Sequence, residues 1–329
     1  MEEKISVLIS TKNRKEILRQ TLDTLFHHQN LPHEQFEVIV TNDGSEPLDD
    51  LLTVFPYNNF RIFPNKHKPG SAGGRNNGIE YAKYNLILFL DDDILITPSF
   101  LIKVIQVHQQ FNEVILVGNR LYPDHLIQSA QQYSFGRYKL KHEYQWVDKD
   151  TLIPLNNGLY IAQDLAGFSV SLKKSTYEKV GAFNEEFKYA GCEDSEFFYR
   201  AQKLGIQLLF DESNICYHNE LDNFNLKAWL NRQSSGILSA IVMCQLHSEG
   251  KEHPTWFTNT PISKNDPLWV KKLKLKKWIL SRKWIMQFLF SMVWTFEKIH
   301  VTDKILFRLY NALWLGSTYK AFRNEYDKI

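Results

Sequence analysis

The stretch LILFLDDD, residues 86–93, places five apolar residues directly before three aspartates. An unbroken apolar run is typical of a strand that is buried on both faces, as in a parallel sheet. Close carboxylates repel one another, so burying them costs free energy unless a cation lies between them. Because aspartate oxygens suit Mg²⁺ and Mn²⁺, the stretch predicts a strand that ends at a metal and phosphate site. An acidic turn that caps the helix after Pro98 is the alternative.

Two other apolar runs, residues 5–9 and 36–40, also lead into polar residues, among them Thr11 and Asp43. The segment between the runs has helical periodicity, and strand, helix and strand in this order indicate a right-handed parallel crossover. Ligands of such sheets bind beyond the carboxyl ends of the strands. We therefore expect Thr11, Asp43 and residues 91–93 to meet at one edge of the sheet.

Two segments near these strand ends predict helix N-termini. Asn13, followed three residues later by Glu16, predicts a capping box. The glycine-rich segment PGSAGGRNNG, residues 69–78, opens another helix, where Arg75 and the backbone are placed to meet a phosphate or a base. A flexible loop is the alternative for this segment. It lacks the GxxxxGK[ST] pattern, which excludes a P-loop.

The second half of the sequence adds two candidate sites. Glu193 and Asp194 begin an amphipathic helix, where carboxylates either carry chemistry or simply cap the helix. His218 follows an apolar strand, a position that favours a ligand over a purely structural histidine. Before this helix, residues 165–172 predict another strand, and residues 119–157 predict a long functional connection such as a lid.

The composition fits a globular chain of 329 residues with room for two domains. A net charge of +2 gives no support for nucleic-acid binding. Three cysteines in no metal-type spacing favour a reducing cytoplasm. We find no signal-peptide pattern and no apolar run of the length that a transmembrane helix needs.

The C-terminal third has a different pattern. Residues 269–296 carry lysines and arginines but no Asp or Glu, interleaved with tryptophans. This pattern predicts a helix that lies on a membrane surface; a helix packed on the catalytic domain, with solvated lysines, is the alternative. Its apolar stripe is predicted to consist of Ile285, Phe288, Leu289, Met292 and Phe296. A last helix is expected to use Ile305, Leu306, Leu309 and Leu313 for core packing or a dimer contact.

Six segments, taken together and in order, resemble glycosyltransferase family 2 with the GT-A fold. They lie between about Ile5 and His218 and read VLISTKNR, VIVTNDGS, GSAGGRNNG, FLDDDILITP, VGAFNEEF and GCEDSEFFYR. The resemblance implies an α/β, Rossmann-like, mostly parallel sheet flanked by helices, with a mainly helical C-terminal extension. It predicts a catalytic domain at 1–222, with a nucleotide-sugar half at about 1–118 and an acceptor half at about 119–222, followed by a helical region at 223–329.

The resemblance also implies roles for single residues. Asp43 is similar to the carboxylate that binds the nucleotide base, Asp91 to a ribose contact, and Asp93 to a ligand of Mn²⁺ or Mg²⁺. Asp194 matches the catalytic base. The remaining implied roles are catalytic for Glu193, metal-binding for His218, nucleotide-binding for Thr11, Asn13, Arg75 and Asp92, and sugar- or acceptor-binding for Gly167 and Phe168.

The implied reaction is inverting transfer of a hexosyl or N-acetylhexosaminyl group from a UDP-sugar. The acceptor would be a saccharide or a lipid-linked saccharide in cell-surface polysaccharide synthesis. The chain lacks the QxxRW motif and the membrane spans of processive synthases, so single transfers are expected. Asn42 and Gly74 depart from the common pattern without removing a key residue. The implied location is cytoplasmic or peripheral on the inner face of the cell membrane, and the oligomeric state stays open.

Two other classes of protein are alternatives. A nucleotidyltransferase shares a related sheet and an acidic metal site, but it normally has a glycine-rich loop after the first strand, and residues 10–14 contain no glycine. A non-catalytic nucleotide-sugar or membrane-binding module would not need both Asp93 and Asp194.

Overall fold

A computed structural model describes residues 3–143, 146–189, 191–220, 224–247, 250 and 252–328. The contacts divide the chain into two units. The first contains residues 1–123, 146–188 and 193–219, and the second contains residues 124–145, 189–192 and 220–329. Part of the predicted acceptor half, residues 124–145, therefore groups with the C-terminal region. The predicted boundary at 222–223 lies outside the described residues.

The first unit is built on one mixed sheet. Its strand order is β3-β2-β1-β4-β9-β6-β10-β8-β7, with β5 paired to β10. Strands β3, β2, β1 and β4 run parallel to one another, and β6 runs parallel to β10. The strands are β1 Ile5–Thr11, β2 Phe36–Asn42, β3 Phe60–Pro64, β4 Leu86–Asp91, β5 Ile94–Ile96, β6 Val114–Leu121, β7 Ile153–Pro154, β8 Leu159–Ala162, β9 Ser169–Lys173 and β10 Gln207–His218.

Helices flank the sheet and form the second unit, which confirms the predicted α/β class and the helical C-terminal region. The first unit holds α1 to α4, α7 and α8, and the second holds α5, α6 and α9 to α13. Their bounds are α1 Lys15–His27, α2 Asp50–Val54, α3 Ser71–Tyr81, α4 Phe100–Gln110, α5 Asp124–Gln131, α6 Ser134–Glu143, α7 Lys174–Val180, α8 Glu193–Lys203, α9 Leu226–Leu246, α10 Pro254–Phe257, α11 Leu268–Leu280, α12 Lys283–Lys298 and α13 Asp303–Tyr326.

The central strand β4 is buried along its apolar run, as predicted. Its neighbours differ from a purely parallel sheet, because β4 pairs in parallel with β1 but antiparallel with β9. Strand β9 begins at Ser169 rather than Leu165. An apolar run predicts that a strand is buried on both faces, but it does not predict the direction of the neighbouring strand.

Residues 119–157 do not form one long connection, so this prediction is wrong. Strand β6 continues to Leu121, and helices α5 and α6 follow. The α6 side chains Phe135 and Tyr138 pack with Trp229 and Tyr310 in the core of the second unit. The apolar residues of two such short helices are too few to give a clear period, which is why their sequence reads as a loop.

The C-terminal helices also correct two expectations. Residues 250–266 contain proline and threonine, a composition that predicts a linker, but the structure places the short helix α10 in this segment. In α13, Leu306 and Leu313 are fully buried as expected, whereas Ile305 is exposed. In the part of the chain that the structure describes, every helix is too short or too polar to cross a membrane.

Candidate functional site

The ends of β1 and β4 and the acidic run meet, as the sequence predicted. Ser10 in β1 lies opposite Asp91 in β4. The Thr11 hydroxyl donates to Asp92 Oδ2 at 2.7 Å. The backbone N–H of Asp43 donates to the Thr11 carbonyl at 2.8 Å. These contacts bring the predicted polar strand ends to one edge of the sheet.

Arg14 supplies a cation to this acidic run, and the sequence reading missed it. Its Nη1 donates to Asp92 Oδ1 at 2.7 Å, and its Nη2 donates to Asp93 Oδ2 at 2.8 Å. Both carboxylates are buried. A signal was available, because three adjacent aspartates need a cation and Arg14 follows the neighbouring strand by three residues.

The two carboxylates bound to Arg14 differ in their proton affinity. Burial, reinforced by the charge of Asp93, raises the pKa of Asp92 to about 7 against the opposing charge of Arg14. Burial also acts to raise the pKa of Asp93, but His218 and Arg14 outweigh it and hold that pKa well below its usual range. Asp93 is therefore the carboxylate of the two that stays ionised beside these cations.

Asp93 and His218 form a pair that suits a divalent ion. His218 Nε2 lies 3.4 Å from Asp93 Oδ1, and both side chains are buried. Neighbouring ligands of an octahedral Mg²⁺ lie roughly 3 Å apart, given metal–oxygen distances of about 2.1 Å. Across the described residues, no group of three or more His, Cys, Asp or Glu side chains forms a metal site. The pair could therefore supply only two of the ligands of an ion.

Arg75 is the hub of a second network. It is buried, and its guanidinium donates to Asp91 Oδ1 at 3.0 Å, to Glu193 Oε1 at 3.1 Å and to the Gly167 carbonyl at 3.1 Å. Asp91 itself keeps 42% of its side chain exposed. Arg75 therefore holds one accessible carboxylate of the acidic run, while Glu193 neutralises the buried guanidinium.

The glycines of the segment 69–78 allow α3 to pack closely against its neighbours. Most of α3 is buried, and a Cβ at Gly74 would overlap the Ser10 side chain at the end of β1. A Cβ at Gly73 would overlap the Lys68 carbonyl. These glycines let the start of α3, with Arg75, lie directly against the strand ends.

Asp43 lies beside this helix and is enclosed by donors. It accepts hydrogen bonds from Asn65 Nδ2 at 2.6 Å, the Gly70 N–H at 3.0 Å and Lys12 Nζ at 3.3 Å. Its side chain is only 5% exposed. A carboxylate held by three donors has a fixed orientation.

Asn13 does not cap α1, so the predicted capping box is wrong. Helix α1 has Arg14 at its N-cap position without a side-chain cap, and Glu16 bonds Arg19 instead. Asn13 has a positive φ of 55°, and its side-chain oxygen accepts from the N–H groups of Ser45 and Glu46. Asn13 thereby secures the turn that follows Asp43, a long-range contact that a local motif does not report.

Asp194 is positioned at the start of α8 by Gly167. The Gly167 N–H donates to Asp194 Oδ2 at 2.6 Å. A Cβ at Gly167 would lie 2.5 Å from Asp194 Cβ, so only glycine fits this approach. Phe168 is buried, and its carbonyl accepts from the Asp91 N–H at 3.0 Å. The segment 167–168 therefore connects Asp194 to the acidic run.

Arg120 adds a feature that no sequence motif indicated. Its guanidinium lies 5.5 Å from the ring centre of Phe168, 5.6 Å from that of Trp146 and 5.9 Å from that of Tyr122. The Tyr122 ring in turn stacks on His218. The fold brings these rings and the guanidinium together from separate segments, so their spacing along the chain does not predict the cluster.

The chain is similar in sequence to known glycosyltransferases. The family described as Glycosyl transferase family 2 matches residues 6–180. A hyaluronan synthase from Pasteurella multocida is 28% identical over 243 residues, which are 66% of this chain and 24% of that protein. A validoxylamine A glucosyltransferase from Streptomyces hygroscopicus subsp. limoneus is 26% identical over 227 residues, covering 62% of this chain and 49% of that protein. The chain thus spans between about a quarter and half of the length of these relatives.

Solved structures show the same fold at low identity. A mannosyltransferase from Pyrobaculum calidifontis, in complex with GDP-Man and Mn²⁺, aligns with a TM-score of 0.59 and 13% identity over 100% of this chain and 89% of that one. GalNAc-T7 with UDP, GalNAc and Mn²⁺ aligns with a TM-score of 0.56 and 14% identity, covering 85% of this chain and 56% of that one. The fold is therefore of the GT-A type. Because the family match covers more than half of the sequence, the chain belongs to glycosyl transferase family 2.

Proposed function

We propose that the protein transfers a sugar from a nucleotide-diphosphate sugar, with UDP as the nucleotide, to an acceptor hydroxyl with inversion at the anomeric carbon. One observation carries this proposal. Arg75 bonds both Asp91 and the Gly167 carbonyl, and the Gly167 N–H bonds Asp194. The donor-site carboxylate and the candidate base thus belong to one hydrogen-bonded network.

Asp93 and His218 would hold a divalent ion, Mn²⁺ or Mg²⁺, which would neutralise charge on the departing diphosphate. Their spacing of 3.4 Å and the burial of both side chains support this assignment. The Mn²⁺ in the mannosyltransferase and GalNAc-T7 complexes supports it from outside this chain.

Asp194 would act as the general base. An acceptor oxygen attacks the anomeric carbon as the bond from that carbon to the diphosphate oxygen breaks, and Asp194 takes the hydroxyl proton. Attack from the face opposite the leaving group inverts the carbon. Asp194 is held by Gly167 and is partly exposed, so it has both a fixed position and access to an acceptor.

The other predicted site residues fall into two groups. Asp43 and the partly exposed Asp91 are assigned to the base and the ribose of the donor, although both also accept hydrogen bonds from protein groups. Thr11, Arg75, Asp92 and Glu193 are buried, and they are assigned as positioning residues together with Asn13, which secures the turn after Asp43. Glu193 in particular is committed to Arg75, which leaves Asp194 as the base.

The acceptor is proposed to be a saccharide or lipid-linked saccharide, with single transfers of a hexosyl or N-acetylhexosaminyl group in polysaccharide synthesis. The hyaluronan and chondroitin synthases among the relatives support a glycan acceptor. Gly167 and Phe168, next to Asp194, are assigned to the sugar or acceptor side.

Two substitutions test the roles. Asp194→Asn is expected to keep donor binding and to lower the transfer rate by about 10²- to 10⁴-fold, the range typical of a missing general base. Asp93→Ala is expected to abolish metal-dependent hydrolysis of the nucleotide sugar. The readout is release of nucleoside diphosphate with and without Mn²⁺. Loss of donor binding in Asp194→Asn would instead place this residue in the nucleotide site.

A further inference from the structure

The helices α11 and α12 of the second unit expose large apolar side chains to solvent. In α12, Trp284 is 68% exposed, and Phe288 and Trp294 are each 61% exposed. In α11, the exposed apolar residues are Leu268, Trp269, Leu275, Trp278 and Ile279. Scattered apolar residues are normal on a protein surface, but a run of aromatic side chains on one short segment indicates an interaction site.

The structure corrects the stripe expected for α12. Leu289 and Val293 are buried, and Ile285 and Phe296 pack beside them against the core of Leu306, Tyr310 and Leu313. Phe288 belongs to the opposite face. At 100° per residue, Trp284, Phe288 and Trp294 lie together on the side that faces away from Leu289 and Val293. The exposed aromatic residues are therefore additional to the core-packing stripe.

Helix α11 is divided in the same way. Val270, Lys274 and Lys277 are buried, and the two lysines bond groups of the segment 258–266. The opposite side presents Leu268, Lys272, Leu275 and Ile279, all exposed. The buried lysines thus fix the inner face of α11, and the outer face is left with apolar residues and a cation.

Exposed cations accompany these aromatic residues. Arg282 lies 3.7 Å from the Trp278 ring centre, and Lys298 lies 3.6 Å from the Trp294 ring centre. No Asp or Glu occurs from Trp269 to Phe296. The exposed basic residues of the two helices and their connection are Lys272, Lys276, Arg282, Lys283 and Lys298.

We infer that the outer faces of α11 and α12 form a docking surface for an anionic lipid bilayer. Tryptophan, phenylalanine and leucine enter the boundary between headgroups and acyl chains, while lysine and arginine remain at the level of anionic headgroups. The absence of acidic residues between 269 and 296 favours this occupant over a protein patch of mixed charge. A lipid surface also matches a helix that is too short and too polar to span the bilayer.

All the residues of this surface belong to the second unit. Only one consequence rests on the proposed function, namely that the surface holds the enzyme where a lipid-linked acceptor resides. Vesicle binding needs no nucleotide, so Asp93→Ala should bind vesicles like the wild type. Vesicle binding without donor hydrolysis would contradict the proposed function and leave the docking surface intact.

The test is co-sedimentation of the full chain with vesicles of phosphatidylcholine, with and without 30% phosphatidylglycerol. The wild type is expected to bind the anionic vesicles and to lose binding as salt is raised. The triple variant Trp284→Ser, Phe288→Ser, Trp294→Ser should bind roughly tenfold more weakly or worse. The matched control Gln287→Ala, Ser291→Ala, Thr295→Ala, on the same face, should bind like the wild type.

Circular dichroism and thermal unfolding would establish that both variants fold. Equal vesicle binding by the aromatic variant and the wild type would overturn the inference. Failure of the wild type to bind anionic vesicles would also overturn it. A concentration-dependent dimer that the aromatic substitutions abolish, without vesicle binding, would also overturn it and assign the surface to a second copy of the chain.

Discussion

Arg14 and the aspartates that it bridges show how single residues make this site. A buried carboxylate without a partner is costly, and two adjacent ones are more costly because they repel. The guanidinium bonds both Asp92 and Asp93 with one planar group. A lysine could place its single ammonium near only one of them.

Substitution of Arg14 is therefore expected to destabilise the fold. Arg14→Met should lower the free energy of unfolding by about 3 kcal/mol, since it removes the guanidinium that bridges two buried carboxylates. Arg14→Lys should fall between Arg14→Met and the wild type. Arg19→Met is the matched control, because Arg19 lies on the same α1 but pairs with Glu16 in an exposed position. Denaturant unfolding measures the difference, and equal stability of Arg14→Met and the wild type would contradict the role.

Gly167 offers a test of how Asp194 is positioned. In Gly167→Ala the added methyl would lie 2.5 Å from Asp194 Cβ and 2.7 Å from its Oδ2, so Asp194 must move. We expect the transfer rate to fall on the order of 10²-fold with donor affinity unchanged, because a shift of about 1 Å in a catalytic group has this effect. Gly236→Ala is the control, since its Cβ meets no atom within 4 Å. A Gly167→Ala variant with normal turnover would contradict the assignment of Asp194.

At the scale of single residues, the sequence predicts which groups are present but not which groups they bond. The polar ends of β1, β2 and β4 could be predicted, because apolar runs end there. The pairing of Arg75 with Glu193 could not, since the two lie far apart in the chain and each also fits a local motif. The same holds for Asn13, whose positive φ and contact with residues 45 and 46 override its local capping pattern.

Among the elements, α3 is tied to the loop before α8 by a histidine between two carboxylates. His67 Nδ1 lies 2.8 Å from Glu185 Oε1, and His67 Nε2 lies 2.8 Å from Glu80 Oε1. Glu185 also accepts from Asn76 of α3 at 2.7 Å. The hydrogen bond to Glu80, with that to Glu185, raises the pKa of His67 despite partial burial.

This arrangement predicts a pH-dependent contribution to stability. Because the pKa of His67 is higher in the folded than in the unfolded chain, its contribution is complete below the unfolded value of about 6.5 and is lost as the pH rises through the folded value. His67→Gln should therefore lower the melting temperature more at pH 6 than at pH 9. Glu80→Gln should weaken this pH dependence in part. A melting-temperature difference between His67→Gln and the wild type that is the same at both pH values would show that the imidazolium charge is not involved.

The elements differ in how far the sequence predicts them. The buried strands β1, β2 and β4 are predicted by their apolar runs. Strands β5, β7 and β8 were missed, because they have two to four residues and owe their pairing to β10 and to each other. For α12, the pattern predicted the helix but not which aromatic residues face solvent, since two apolar faces on one helix obscure the period.

For the whole molecule, the order of the strands and the family match define the catalytic scaffold, and the second unit distinguishes this chain. The sequence predicted a helical C-terminal region from residue 223, but the second unit also includes α5 and α6 from the middle of the chain. These distant segments belong to one unit because Phe135 and Tyr138 pack against Trp229 and Tyr310. The composition along the chain does not predict such packing.

The most direct test of a metal-dependent donor site is calorimetric titration of nucleoside diphosphates, with and without Mn²⁺, into the wild type and Asp93→Ala. Arg19→Met serves as a charge-changing control outside the site. We expect the wild type to bind UDP in a Mn²⁺-dependent manner and Asp93→Ala to lose that dependence. If no nucleoside diphosphate binds the wild type under either condition, or if UDP binding is equal in Asp93→Ala, the donor site proposed at the ends of β1, β2 and β4 is contradicted.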